Sequence, residues 1–115
     1  MIARVWRGET RAEDGDAYAR YLARTGEPDC RALAGNRGVL ILRGDAAGRT
    51  EFVFISFWDG MDAIRAFAGS DVERARYYPE DERYLLALDP HVRHYTVTGS
   101  GLDLAGALAP DPQPQ

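Results

Sequence analysis

The side chains with chemical reach in this 115-residue chain gather in a few short words. The densest is "YYPEDERYL", residues 77–85, in which three tyrosines surround Pro79, Glu80, Asp81 and Glu82. A catalytic cluster, a metal site and a helix start all compete for it. Consecutive carboxylates on a helix fan out by about 100° each, so three in a row do not converge on one ion. Pro79 suits a first helical turn, and acidic residues suit the positive end of the helix dipole. The carboxylates therefore read as a capped helix start. The chemical interest moves to Tyr77 and Tyr78, phenols able to shuttle a proton or bond a substrate oxygen, or simply to pack at the end of an element.

His91 and His94 are the only histidines, in "HVRHYTV". Three residues apart on a strand they face opposite ways, which argues against a metal site. His94 alone is a candidate general base, since imidazole titrates near neutral pH; the plainer alternative is a surface or hydrogen-bonded histidine. Trp6 and Trp58 sit in strand-like words. They either line a pocket for a flat aromatic ligand or fill the core. Arg43 ends a strand and Arg4 and Arg7 lie in one. Each can steady a phenolate or carboxylate, or form a surface ion pair. Cys30 has no activating partner nearby in sequence and reads as an inert thiol. No glycine-rich phosphate loop and no serine in a strand-to-helix elbow is present.

The elements that must position these groups follow from periodicity. "MIARVWRG" reads as a strand with Ile2, Arg4 and Trp6 on one face. Thr10 and Glu13 have capping-box spacing ahead of a helix over 13–25, and Gly26 and Pro28 are expected to end it. "VLILR", 39–43, is a strand, and "GDAAGR" is a turn built on Gly44-Asp45. "TEFVFISFW", 50–58, is apolar on both faces and is expected at the centre of the sheet, covered on both sides. Asp59 is expected to cap a helix that carries Met61, Ile64, Phe67 and Ala68 and ends at Gly69. Ser70 caps a short segment that Pro79 breaks, a helix or turn follows, and 91–97 is the last strand. The order is that of an α+β, ferredoxin-like split βαβ: a four-stranded antiparallel sheet with helices on one face. The open face of such a sheet must meet something, and a second copy is the simplest partner, giving a homodimer closed into an α/β barrel. Residues 1–98 form this domain, and the Gly/Ala/Pro-rich stretch 99–115 reads as a flexible tail.

The totals agree. Hydrophobic residues are 45% and charged residues 28%, as in one soluble globular domain. The net charge of −4 argues against nucleic-acid partners, and all 14 basic residues are arginine. A single cysteine excludes an internal disulfide, and "MIARVWRGET" is neither a signal peptide nor a membrane span, so a cytoplasmic location is expected.

Three words, "GNRGVLILR", "FWDGMDAIRAFAG" and "YYPEDERYLL", make residues 1–98 resemble the antibiotic biosynthesis monooxygenase-like family of dimeric α/β barrels. Its most typical part is "SFWDGMDAIRAFAG". The resemblance implies one of several chemistries on one fold. The haem-degrading branch uses an Asn–Trp–His set, and at those positions this chain has Trp6, Phe67 and Tyr77, so the match does not extend to haem cleavage. What remains implied is a monooxygenase that works without a metal or flavin cofactor. A phenol- or quinol-type small aromatic molecule loses a proton, and its anion reduces dioxygen in an apolar pocket. Under this resemblance Tyr77 and His94 are the catalytic candidates, and Trp6, Trp58, Phe67, Tyr78 and Arg43 the substrate-binding ones. Two alternatives stay open: a non-catalytic dimeric binding or stress-response module, and an acidic metal-binding module on Glu80, Asp81 and Glu82.

Overall fold

The computed structural model describes residues 1–104; of the expected tail at 99–115, residues 99–104 are exposed and without regular secondary structure, and the rest lies outside the described residues. Strands β1 (Ile2–Arg11), β2 (Asn36–Ala46), β3 (Arg49–Trp58) and β4 (Arg93–Thr96) form one antiparallel sheet in the order β2-β3-β1-β4. Helices α1 (Gly15–Arg24), α2 (Gly26–Arg31), α3 (Met61–Ala68) and the single turn α4 (Asp81–Tyr84) connect them. The expected ferredoxin-like α+β fold is the one observed, with β3 in the interior of the sheet and the helices packed on one face. No helix among the described residues is long and apolar enough to cross a membrane.

The register assigns every strand residue to a face, because directly paired residues point the same way. On the helix side lie the rows Trp58–Ile2, Ser56–Arg4–His94 and Phe54–Trp6. On the other side lie Leu40–Ile55–Val5, Leu42–Val53 and Phe57–Ala3–Tyr95. Helix α1 offers Tyr18, Tyr21 and Leu22 at helical spacing, and these pack with Phe52 and Leu85 into one buried cluster. A second cluster joins Cys30, Trp58 and Ile64, with Phe67 against it.

Several boundaries differ from the sequence expectation, each for a physical reason. Strand β1 runs past Gly8 to Arg11 because β3 starts early enough to pair Thr10 with Thr50. Gly8 is interior to the strand, and the Trp6 indole lies over it: a Cβ there would sit 2.4 Å from the ring. Thr10 is accordingly buried in the sheet, its hydroxyl donating to the Arg11 carbonyl, and is no helix cap. A 3-10 turn, Ala12–Asp14, precedes α1. Gly26 and Pro28 open α2 instead of ending α1, with proline in the first turn where its missing N–H is no loss. The β2–β3 reversal falls at Ala47-Gly48, both with positive φ, and Gly44 and Asp45 belong to β2. Asp59 does not cap α3. Gly60 holds that position, while Arg37 takes the Asp59 carboxylate at 2.6 Å. The helix does end at Gly69, at φ +88°. Segment 71–78 is not helical. It runs as a strap against 90–92 through Ala75 N–H to Pro90 O and Val92 N–H to Glu73 O, which leaves only Arg93–Thr96 to the sheet.

Candidate functional site

Between the two buried clusters, on the helix side of the sheet, lies a cavity of about 60 Å³. Its floor is Arg4, Trp6, Phe54 and Ser56 of β1 and β3; its walls include Tyr18, Phe67, Arg76, Tyr77, Tyr78 and Asp81. Alternation on the two central strands supplies the floor. Helix α1 supplies Tyr18, and the strap with α4 supplies the tyrosines and Asp81.

The structure brings together Trp6, Phe67, Tyr77 and Tyr78 of the expected site residues, and leaves three outside. Trp58 is fully buried beneath the site, its Nε1 donating to Ser56 Oγ at 2.9 Å and its ring 5.6 Å from that of Phe67. It fills the core. Arg43 lies on β2 opposite Phe52, one row beyond the Phe54–Trp6 row of the floor, bound to Asp16 at 2.7 Å and Asp45 at 3.3 Å. It is the surface ion-pair residue of the two readings. His94 is half-buried on β4 beside Arg4, on the cavity's face of the sheet but not in its wall. Its Nε2 is buried with no partner among the described residues. Burial, then the positive charge of Arg4, pushes its pKa down, so the ring is neutral near pH 7.

The hydroxyl of Tyr77 is occupied. It accepts from Trp6 Nε1 at 3.1 Å and donates to the Asp89 carbonyl at 2.5 Å, tying the strap to the sheet. Tyr78 donates to Asp29 of α2. Both phenols are pushed up by burial first. The Tyr77 hydroxyl is held between two neutral groups, whereas that of Tyr78 is paired with a carboxylate; both rings form walls of the cavity.

A second phenol–carboxylate pair, more deeply buried, lies in the same wall. Tyr18 donates its hydroxyl to Asp81 Oδ1 at 2.9 Å, and Asp81 Oδ2 accepts the Tyr78 N–H at 2.6 Å. Tyr18 is 1% and Asp81 3% exposed. Burial raises the Asp81 carboxyl, while its two hydrogen bonds pull the other way by favouring the ionised form. Burial and then the Asp81 charge push Tyr18 strongly upward. Reading the three carboxylates alike missed this residue: Glu80 and Glu82 are exposed, whereas Asp81 turns inward. The signal was present in the spacing, because Asp81 stands four residues before Leu85 and so shares its apolar helix face. Among the described residues no group of three or more histidine, cysteine or acidic side chains is placed to hold a metal ion.

No known family profile matches the chain, and no curated protein matches it in sequence. Solved structures do match. The crystal structure of the "putative antibiotic biosynthesis monooxygenase" of Bacillus cereus superposes with a TM-score of 0.62 and 14% identity, over 89% of this chain and 97% of that one. At that identity the likeness is one of fold, and it agrees with the resemblance carried by "SFWDGMDAIRAFAG": the chain has the fold of an antibiotic biosynthesis monooxygenase-like protein.

Proposed function

We propose that the chain is a monooxygenase that acts on a small, one-ring phenol or quinol without metal or flavin. The observation that carries the reading is the buried Tyr18–Asp81 pair in the wall of an aromatic-lined cavity. A buried carboxyl with a raised pKa beside a cavity has the character of a catalytic base. A substrate hydroxyl set against Tyr18 gives its proton to the phenolic oxygen as Tyr18 passes its own to Asp81. The substrate anion then supplies four electrons to dioxygen. One oxygen atom enters the ring as a quinone carbonyl, and the other leaves as water with two hydrogens from the substrate. The aromatic walls exclude bulk water from the anion.

Oxygen uptake with a panel of phenols and hydroquinones, run with chelator present, tests this. Uptake should be seen with wild type and fall by about 10²–10⁴ in Asp81→Asn. No uptake with any member ends the reading. The size of the cavity favours the second reading, a binding module. Its 60 Å³ amounts to about four to six waters, less than the roughly 150 Å³ of a cavity that holds benzene. Phenol binding without oxygen uptake would select that reading.

The open sheet face belongs to the same proposal. Leu40, Leu42, Val53, Ile55, Phe57 and Tyr95 lie on it in adjacent cross-strand rows, with Leu42 46% and Tyr95 50% exposed. Such a patch fits another sheet about 10 Å away. A second copy of this chain, related by a two-fold axis, presents the same apolar rows and closes a barrel. Sedimentation should give twice the mass of 12.7 kDa.

A further inference from the structure

Arg4 is 4% exposed and lies at the cavity floor. Its Nη1 donates to Val72 O at 2.6 Å and its Nη2 to Arg74 O at 2.9 Å, both neutral carbonyls. Among the described residues no carboxylate pairs with it. By contrast Arg11, Arg37, Arg43, Arg49 and Arg65, all on the surface, each meet an acid. A buried charge without a counter-ion is costly. Its neighbours do not relieve it. Burial holds the Cys30 thiol up at about 12, so no thiolate forms there. Ser56 and His94 flank Arg4 across the strands, the one neutral and the other with its unpartnered Nε2. A second cation, Arg76, lines the same cavity and stacks 4.8 Å from the Phe67 ring centre, which Arg4 approaches at 5.8 Å from its own position. One side of the site thus carries two positive charges, while its acid, Asp81, is engaged with Tyr18.

We propose that the site takes an anionic ligand, a small aromatic carboxylate: the cavity of about 60 Å³ takes the carboxylate end, held by Arg4 at the floor, and the ring lies outward against Phe67 beside the exposed Arg76. The guanidinium plane matches a carboxylate better than a spherical ion, and three of its five N–H groups have no partner among the described residues. The inference rests on the cavity assigned above and gives its phenolic substrate a second group, of the hydroxybenzoate kind.

Calorimetry on the full chain without oxygen compares benzoate, its neutral isostere benzamide, and inorganic phosphate. Benzoate should bind at least tenfold tighter than either. Arg4→Met should abolish the preference, and the exposed-site variant Arg76→Gln should weaken it several-fold. Bound benzoate should also raise the pKa of His94, followed by its ring proton resonances, because it screens Arg4. Equal binding of benzamide, tighter binding of phosphate, or a preference that survives Arg4→Met overturns the proposal. If Arg4→Met does not fold, the benzoate preference of wild type, the His94 shift and Arg76→Gln decide. Benzoate binding with no oxygen uptake from any phenol leaves this inference standing and removes the oxygenase reading. Uptake from neutral phenols with no benzoate binding does the reverse.

Discussion

The two faces of strand β3 are built from similar residues and end in different states. Phe52, Ser56 and Trp58 on the helix side are buried, while Val53, Ile55 and Phe57 on the other side stay only partly covered. The helix side is also where the polar chemistry lies: Arg4, Ser56, Tyr18 and Asp81 are buried there among aromatic rings. The other side holds apolar rows that also carry Arg7, opposite Val53, and Arg93, opposite Val5 on the edge strand. The difference teaches that apolar patterning marks a surface to be covered without saying by what. One face is covered by the chain's own helices around a cavity, and the proposed cover of the other is a second chain.

The sharpest break of this contrast is Phe52→Ala. Phe52 is fully buried between Tyr18 and the sheet, and truncation should cost about 3–5 kcal/mol in urea unfolding. A cost near that of a surface change would mean the helix side is loosely packed. On the other face, Ile55→Asp sets a charge in the middle row of the apolar patch. It should weaken self-association at least 100-fold, about 2.7 kcal/mol, by sedimentation at constant helix content. A monomeric wild type would remove the proposed difference in cover. Tyr18→Phe takes one of two hydrogen bonds from Asp81 and should cost about 1.5–3 kcal/mol, while also cutting oxygen uptake.

Smaller effects separate half-buried His94 from buried Asp81. The folded pKa of His94 lies below its ordinary 6.5, so the unfolded chain takes up its proton first as pH falls. Its contribution is full above about pH 6.5 and is lost as pH drops toward the lowered folded value. Asp81 runs the other way: its folded pKa lies above the ordinary 3.8, so its contribution is full below that value and is lost as pH rises through the folded one. Urea midpoints against pH should lose the first slope in His94→Gln and the second in Asp81→Asn. Least of all, Arg37→Ala breaks an exposed pair with Asp59 and should change stability by about 0–1 kcal/mol.

Much of this architecture was legible in the chain, because alternation and helical spacing are local. The apolar run at 50–58, the stripe Ile64–Phe67–Ala68 and the stop at Gly69 fix the strand order and the second long helix. Trp6, Phe67, Tyr77 and Tyr78 were gathered at one site by the family resemblance, and the structure does bring them to one cavity. What was hidden depends on partners distant in sequence. Thr10 looks like a cap until Thr50 claims it for the sheet, and Asp59 looks like one until Arg37 reaches it. His94 stops short of the cavity because the strap at 71–78, which has no regular pattern, lies over its neighbours. Tyr77 is a proton-carrier candidate by type, but a hydroxyl's role depends on its partners, which lie far off in sequence: its oxygen accepts from Trp6 Nε1 and its hydrogen goes to the Asp89 carbonyl.

Cys30 gives the molecule an internal clock. It is the only thiol in the chain, borne on α2 and fully buried against Trp58 and Ile64, and burial pushes its pKa up to about 12. Reagents that need the thiolate gain access only when that helix lifts from the sheet. The labelling rate divided by that of an exposed thiol therefore reads the fraction of time this side stands open, and a ligand seated on Arg4 should slow it.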